Sequence, residues 1–325
     1  MSTIFLPAIA LFAGILGLLW GADRFVAGSA SAARHLGITP MVIGLTVVSV
    51  GTSAPEIIVS INAALRESGQ LAVGNALGSN LANIGLVLGI TALVAPIPVK
   101  KQVLLEESPV LILITVLAGL CLYNGFLGRA ESIGLALLVI PLLILVVKYK
   151  KNHPDSDNID NSEALPDLSK SHAIVWFIIG LIVLLGSAEI TVWGAKSIAT
   201  YAGISELVIG LTVVAIGTSL PELAASVISA LRGHHDIALG NVFGSNLFNL
   251  MLVMTSAGAI TPIALGSEVF SRDFLAMAAM TLLMVILAAL ALRSSSGRIS
   301  KTMGLLLLGG YGYYYILLWP VIAST

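Results

Sequence analysis

The sequence predicts an all-α integral membrane protein: ten transmembrane helices in two inverted five-helix repeats. Three observations carry that prediction. Of 325 residues, 57% are hydrophobic and only 10% charged, with a mean hydropathy of +1.01, whereas soluble domains carry about 25% charged residues. Ten stretches are apolar over the length, about 20 residues, that a helix needs to cross a bilayer. Residues 43–83 recur at 209–249 without a gap at an offset of 166, with 24 identities among the 42 pairs from Val42/Val208 to Asn83/Asn249.

Composition also removes whole classes of function. A net charge of −1 gives no basic field to recruit nucleic acid. A single cysteine, Cys121, rules out an internal disulfide framework or a cysteine-rich metal site.

The first span is expected over 3–22. The segment has no basic n-region and no clear cleavage site, so it reads as a span rather than a removed signal peptide. Spans over 38–64 and 71–94 carry the first copy of the repeated motif, and 103–123 and 130–149 complete a first repeat over 1–149. Residues 150–172, with Pro154, Pro166 and five acids, form a polar linker that cannot bury a core. The second repeat, 173–325, holds spans over 173–193, 204–230, 237–260, 274–292 and 302–323.

Five is odd, so the second repeat enters the membrane in the opposite direction, an arrangement common in secondary transporters. Loop charge sets the orientation. With the N-terminus outside, eleven Lys and Arg residues lie inside, Arg34, Lys100 and Arg232 among them, against Arg66, Arg129, Lys196 and Arg272 outside. The expected disposition is a multi-pass protein of the cytoplasmic (inner) membrane, with both termini exterior and the linker cytoplasmic. The five histidines fall at loops or span ends and read as solvated.

The repeat places Glu56 at the end of IGLTVVSVGTSAPE and Glu222 at the end of IGLTVVAIGTSLPE. A carboxylate at mid-bilayer costs roughly 2.5–3.5 kcal/mol on insertion scales. No Lys or Arg shares the depth of either glutamate in its span or the next, so a bound cation is the natural partner. Pro55 has no N–H and crowds the carbonyl of Gly51, as Pro221 does that of Gly217. The carbonyls of Ser49 and Ala215, on the expected unwound turn, are further candidate ligands. Thr52 and Ser53 lie on the helix face of Glu56. Asn75, Ser79 and Asn83 line one face of the third span, and Asn241, Ser245 and Asn249 the matching face of the eighth. Such stripes also serve as plain helix–helix contacts in membranes. Oxygen-only ligation suits Ca2+ or Na+ and argues against zinc or copper.

On these residues the chain resembles the cation/calcium exchanger superfamily, most closely its bacterial calcium/sodium antiporters. GTSAPE (51–56), GTSLPE (217–222), GNALGSNLAN (74–83) and GNVFGSNLFN (240–249) match that family's two alpha repeats. The resemblance implies Ca2+ moving against several Na+ through clustered sites between the repeats, with Glu56 and Glu222 as the central carboxylates. It implies contributions from Thr52, Ser53, Ser79 and Asn83 of the first repeat, and from Thr218, Ser219, Ser245 and Asn249 of the second. It also implies that spans one and six slide across a core of spans two, three, seven and eight. Some members carry aspartate where this chain has Asn249. Asparagine keeps the oxygen and removes the charge, so the site holds two formal negative charges, enough to neutralise one Ca2+.

Ca2+ and Na+ are thus the expected substrates and the lipid bilayer the expected surroundings, with no cofactor, no nucleic acid and no obligate protein partner. A Ca2+/H+ antiporter using the same glutamates stays open. An intramembrane hydrolase does not fit, because no Ser/His or His-x-x-x-His arrangement occurs within the spans.

Overall fold

Lipid offers no hydrogen bonds to a backbone, so long apolar runs satisfy their own amides as helices. The computed structural model describes residues 2–66, 68–152, 168–203 and 215–323, and helix dominates them. In the first half these are α1 (Ser2–Leu36), α2 (Pro40–Thr52), α3 (Ala54–Leu65), α4 (Gly69–Val94), α5 (Val103–Leu122) and α6 (Arg129–Val146). In the second half they are α7 (Lys170–Tyr201), α8 (Ala215–Thr218), α9 (Leu220–Leu231), α10 (His235–Ile260), α11 (Val269–Arg293) and α12 (Lys301–Ala323). Among the described residues, seven helices are long and apolar enough to cross a membrane, eight if α2 and α3 count as one bent span. Most of the expected linker and residues 204–214 of the expected seventh span lie outside the described residues.

The first and sixth spans are longer than expected. α1 has 35 residues and α7 has 32, where hydropathy alone placed 3–22 and 173–193. Asp23, Arg24 and the serines beyond them look like a span end, yet all tolerate helix. Both helices run on to a glycine with positive φ, Gly37 at 64° and Gly203 at 77°, again 166 apart. α1 and α7 pack antiparallel along their whole length, Gly28 against Phe177, Gly21 against Leu184 and Gly194 against Leu11. A Cβ on Gly21 would lie 2.6 Å from the Leu184 amide nitrogen, so the backbones touch.

The second span is bent rather than unwound. α2 and α3 meet at 44°, and Ser53 alone stands between them with φ −82° and ψ 5°. Ser219, between α8 and α9, has φ −89° and ψ 5°. Proline at the second position of α3 and of α9 withholds one amide from the preceding turn, which suffices for the break.

Other features repeat at the same offset. π-helical turns occupy Asn83–Leu88 in α4 and Asn249–Val253 in α10, and Val103–Glu107 in α5 and Val269–Phe274 in α11. Two short antiparallel ribbons tie the halves together. β1 (Ile97–Pro98) pairs with β4 (Arg298–Ile299), and β2 (Phe126–Leu127) with β3 (Ile263–Ala264). They mark opposite ends of the molecule. Lys100 bonds Asp236 at 2.7 Å beside the β1·β4 ribbon, while Gln70 and Arg129 donate to the Ala264, Ala259 and Ile260 carbonyls near the other.

The main apolar core lies among α4, α5, α10 and α11, and a smaller cluster joins α1 and α7 to α2, α9 and α10. Among the described histidines, which leave out His153, His234 in the loop before α10 departs from expectation and is 2% exposed. Burial lowers its pKa below the usual imidazole range, and the neighbouring Arg232 adds to the effect.

Candidate cation site

The two breaks bring the predicted carboxylates to the middle of the molecule. Glu56 and Glu222 each sit in the first turn of the helix after the break, 1% exposed. Helix N-termini present unsatisfied amides and partial positive charge, a favourable place for a carboxylate. Ser53, three residues before Glu56, reaches Glu222 Oε1, so the two carboxylates share one buried region, and burying both favours a compensating positive charge there.

The repeats interlock here. Ser53 Oγ donates to Glu222 Oε1 at 3.1 Å. Thr52 Oγ1 donates to Asn241 Oδ1 at 3.2 Å. Asn241 in turn donates to the Glu222 carbonyl at 3.3 Å and to Ser226 Oγ at 3.0 Å. Asn75 holds the first repeat in the same way, donating to the Glu56 carbonyl at 3.3 Å and to Ser60 Oγ at 3.5 Å. These two asparagines brace the glutamate helices rather than face a ligand. The close approach this needs comes from glycine. A Cβ on Gly240 of α10 would lie 2.6 Å from the Met41 carbonyl of α2.

Other predicted oxygens are buried with nothing to bond. Glu56 Oε2, Glu222 Oε2, Ser219 Oγ, Ser245 Oγ and both amide atoms of Asn83 and of Asn249 lack partners. An unsatisfied buried polar atom costs about 1–3 kcal/mol, and a hard cation is the kind of partner that would satisfy the oxygens of this set. Asn83 and Asn249 each open a π-helical turn, a distortion frequent at functional sites. Ser79 is buried on the same face of α4, and Thr218 is half-buried at the end of α8.

The candidate carbonyl of Ser49 is already engaged. It accepts from the Ser53 amide at 3.0 Å and from Thr52 Oγ1 at 3.3 Å. Ala215 starts α8 at the edge of the described residues. Sequence reasoning passed over Asn80 and Asn246, one residue beyond Ser79 and Ser245. Asn80 Nδ2 donates to the Asn246 carbonyl at 3.2 Å, a contact between equivalent residues of the two repeats. The identical GSN triplets were the available signal.

Among the described residues, no group of three His, Cys, Asp or Glu could hold a metal ion. The site therefore offers two carboxylates and neutral hydroxyl and amide oxygens, hard donors that suit Ca2+ or Na+. A family model described as sodium/calcium exchanger protein matches residues 6–148 and 172–319. The chain belongs to the sodium/calcium exchanger family. The exchanger is 41% identical over 306 residues to the inner membrane protein YrbG of Escherichia coli, covering 93% of each chain. It is 29% identical over 347 residues to the sodium/calcium exchanger MaX1 of Methanosarcina acetivorans, covering 96% of this chain and 98% of that one. The structure of the sodium-calcium exchanger NCX_Mj soaked with zero Na+ and Ca2+ superposes with a TM-score of 0.83 at 33% identity, covering 96% of this chain and 99% of that one. The exchanger is accordingly a membrane transporter for which cations are substrates, and not an enzyme.

Proposed function

We propose that this exchanger is a secondary active antiporter moving Ca2+ against Na+ across the cytoplasmic membrane by alternating access. The observation that carries the reading is the pair of buried glutamates at equivalent positions of the two repeats, each with an unbonded oxygen. Glu56 and Glu222 together neutralise one Ca2+. Asn83, Asn249, Thr52, Ser53, Thr218, Ser219, Ser79 and Ser245 complete its shell or offer weaker, separate positions over which Na+ ions spread, with the Ser49 and Ala215 carbonyls as outer candidates. Occupancy by one ion excludes the other. Loop charge places both termini outside and the linker in the cytoplasm.

The deciding experiment is calcium uptake into proteoliposomes against an outward Na+ gradient. Uptake that needs internal Na+ supports the reading. Uptake driven equally by a pH gradient in sodium-free buffer would replace it with Ca2+/H+ antiport through the same glutamates, each carrying a proton.

A further inference from the structure

The offset that aligns the glutamate motifs also relates two acids and two arginines that the cation site does not use. Asp23 of α1 maps onto Glu189 of α7, and Arg66, after α3, onto Arg232, after α9. The structure joins one acid to one arginine across the repeats: Nε and Nη2 of Arg232 both donate to Asp23 Oδ1. The same relation applied to the other members pairs Glu189 with Arg66. Among the described residues that second pair is not formed, and both side chains are exposed.

Packing is one-sided in the same sense. α1 lies along α9, whereas the equivalent approach of α7 to α3 is scarcely made. Arg232 belongs to the β1·β4 end, four residues before the Asp236 that binds Lys100. Arg66 belongs to the β2·β3 end, three residues before Gly69, which abuts Ile263 of β3. The molecule is therefore latched at one end and unlatched at the other.

We propose that Asp23–Arg232 and Glu189–Arg66 are alternating latches, the first closing the ion path at the β1·β4 end and the second at the β2·β3 end. α1 and α7 are joined backbone to backbone along their length, so they shift as one body. A shift that carries Glu189 to Arg66 withdraws Asp23 from Arg232, which makes the pairs mutually exclusive. The formed pair is partly solvated, its side chains 46% and 23% exposed. Such pairs contribute little net stability, which suits a switch that must leave both states populated. The inference rests on the proposed antiport only for the order of events; the exchange of partners stands on the repeat geometry.

The test uses the full chain with Cys121→Ser. Double variants Asp23→Cys/Arg232→Cys and Arg66→Cys/Glu189→Cys are treated in proteoliposomes with a short bifunctional thiol reagent. Both pairs should cross-link, and Arg232→Gln should raise the rate for the second pair by about fivefold, the size of effect expected for a partly exposed ion pair. A merely structural role is separated by charge exchange: Arg66→Glu should slow ion exchange, and Arg66→Glu/Glu189→Arg should restore it. Absence of either cross-linked product in monodisperse protein overturns the latches, as does a second-pair rate indifferent to Arg232→Gln. Cross-linking as expected in vesicles that show no Na+-dependent calcium flux would instead remove the ion assignment and leave the latches standing.

Discussion

Ser53 reaches across the repeat boundary to donate a hydrogen bond to Glu222, while Ser219, its counterpart in the other repeat, has a buried hydroxyl with no partner. Two residues in matching Gly-Thr-Ser-x-Pro-Glu contexts, with nearly identical backbone, thus do different work in this conformation. Ser53→Ala removes a bond to a buried carboxylate, a loss of about 1.5–3 kcal/mol, whereas Ser219→Ala removes nothing formed without ions. In ion-free detergent the first variant should melt several degrees below wild type and the second should melt with it. Both should lose part of the stabilisation that added Ca2+ confers. Equal melting of the two variants would show that the asymmetry has no energetic weight.

Glu56→Gln and Glu222→Gln keep the shape of the side chain and halve the formal charge of the site. Removing one partner of a buried charge cluster typically costs 3–5 kcal/mol, roughly a hundredfold or more in affinity. Na+-gradient-driven 45Ca2+ uptake should fall to background in either variant while the protein remains folded and in the membrane. Normal uptake by either one is incompatible with the site.

Asn249→Asp tests the count of charges. With two carboxylates, a bound Ca2+ leaves the site neutral, and 45Ca2+/40Ca2+ exchange should need no monovalent cation. A third carboxylate leaves one negative charge beside bound Ca2+, which is costly to carry through a low-dielectric path. Exchange by the variant in choline buffer should therefore be slow, and K+, Na+ or acid should accelerate it. Indifference of the variant to all three would mean that charge neutrality does not govern the loaded site.

Asn241 braces three partners, Thr52, the Glu222 carbonyl and Ser226, whereas Asn75 braces two. Asn241→Ala strands buried groups of both repeats, at about 1–3 kcal/mol for each left unsatisfied. It should lower thermal stability more than Asn75→Ala does, and weaken Ca2+ binding by misplacing Glu222. Fluorescence-detected unfolding with and without Ca2+ measures both effects.

Much of this was legible because the chain states it twice. The offset of 166 locates both glutamates, both helix breaks and the asparagine stripes in the sequence alone. The lengths of α1 and α7 were not legible, since hydropathy stops at Asp23 and Arg24 while helix continues through polar residues that other helices cover. Nor was the sharpness of the breaks: proline shows that an amide is missing, but whether one residue or a whole turn gives way depends on packing around it. The division of labour along each stripe was hidden for a related reason. Asn75, Asn80 and Asn83 are alike in sequence, and only the neighbouring helix decides that the first braces Glu56, the second meets Asn246 and the third stays unbonded.

Gly240 and Gly244 hold α10 against α2 where the repeats cross. A Cβ at either would run into α2, against the Met41 carbonyl at 2.6 Å for Gly240 and against Leu45 and Ser49 for Gly244. Backbone cannot yield as a side-chain tip can, so alanine must push the helices apart. Overpacking of this kind costs about 1–3 kcal/mol. The displacement also moves Asn249 on α10 relative to Ser53 on the far side of the α2 break, so ion binding should weaken along with stability. Gly312→Ala is the matched control, because a Cβ there meets nothing within 4 Å, and its helix gains propensity. Gly240→Ala and Gly244→Ala should therefore lower both the melting temperature and Ca2+ affinity, while Gly312→Ala leaves affinity unchanged. Wild-type Ca2+ affinity in Gly244→Ala would mean that the contact between α10 and α2 does not set the geometry of the site.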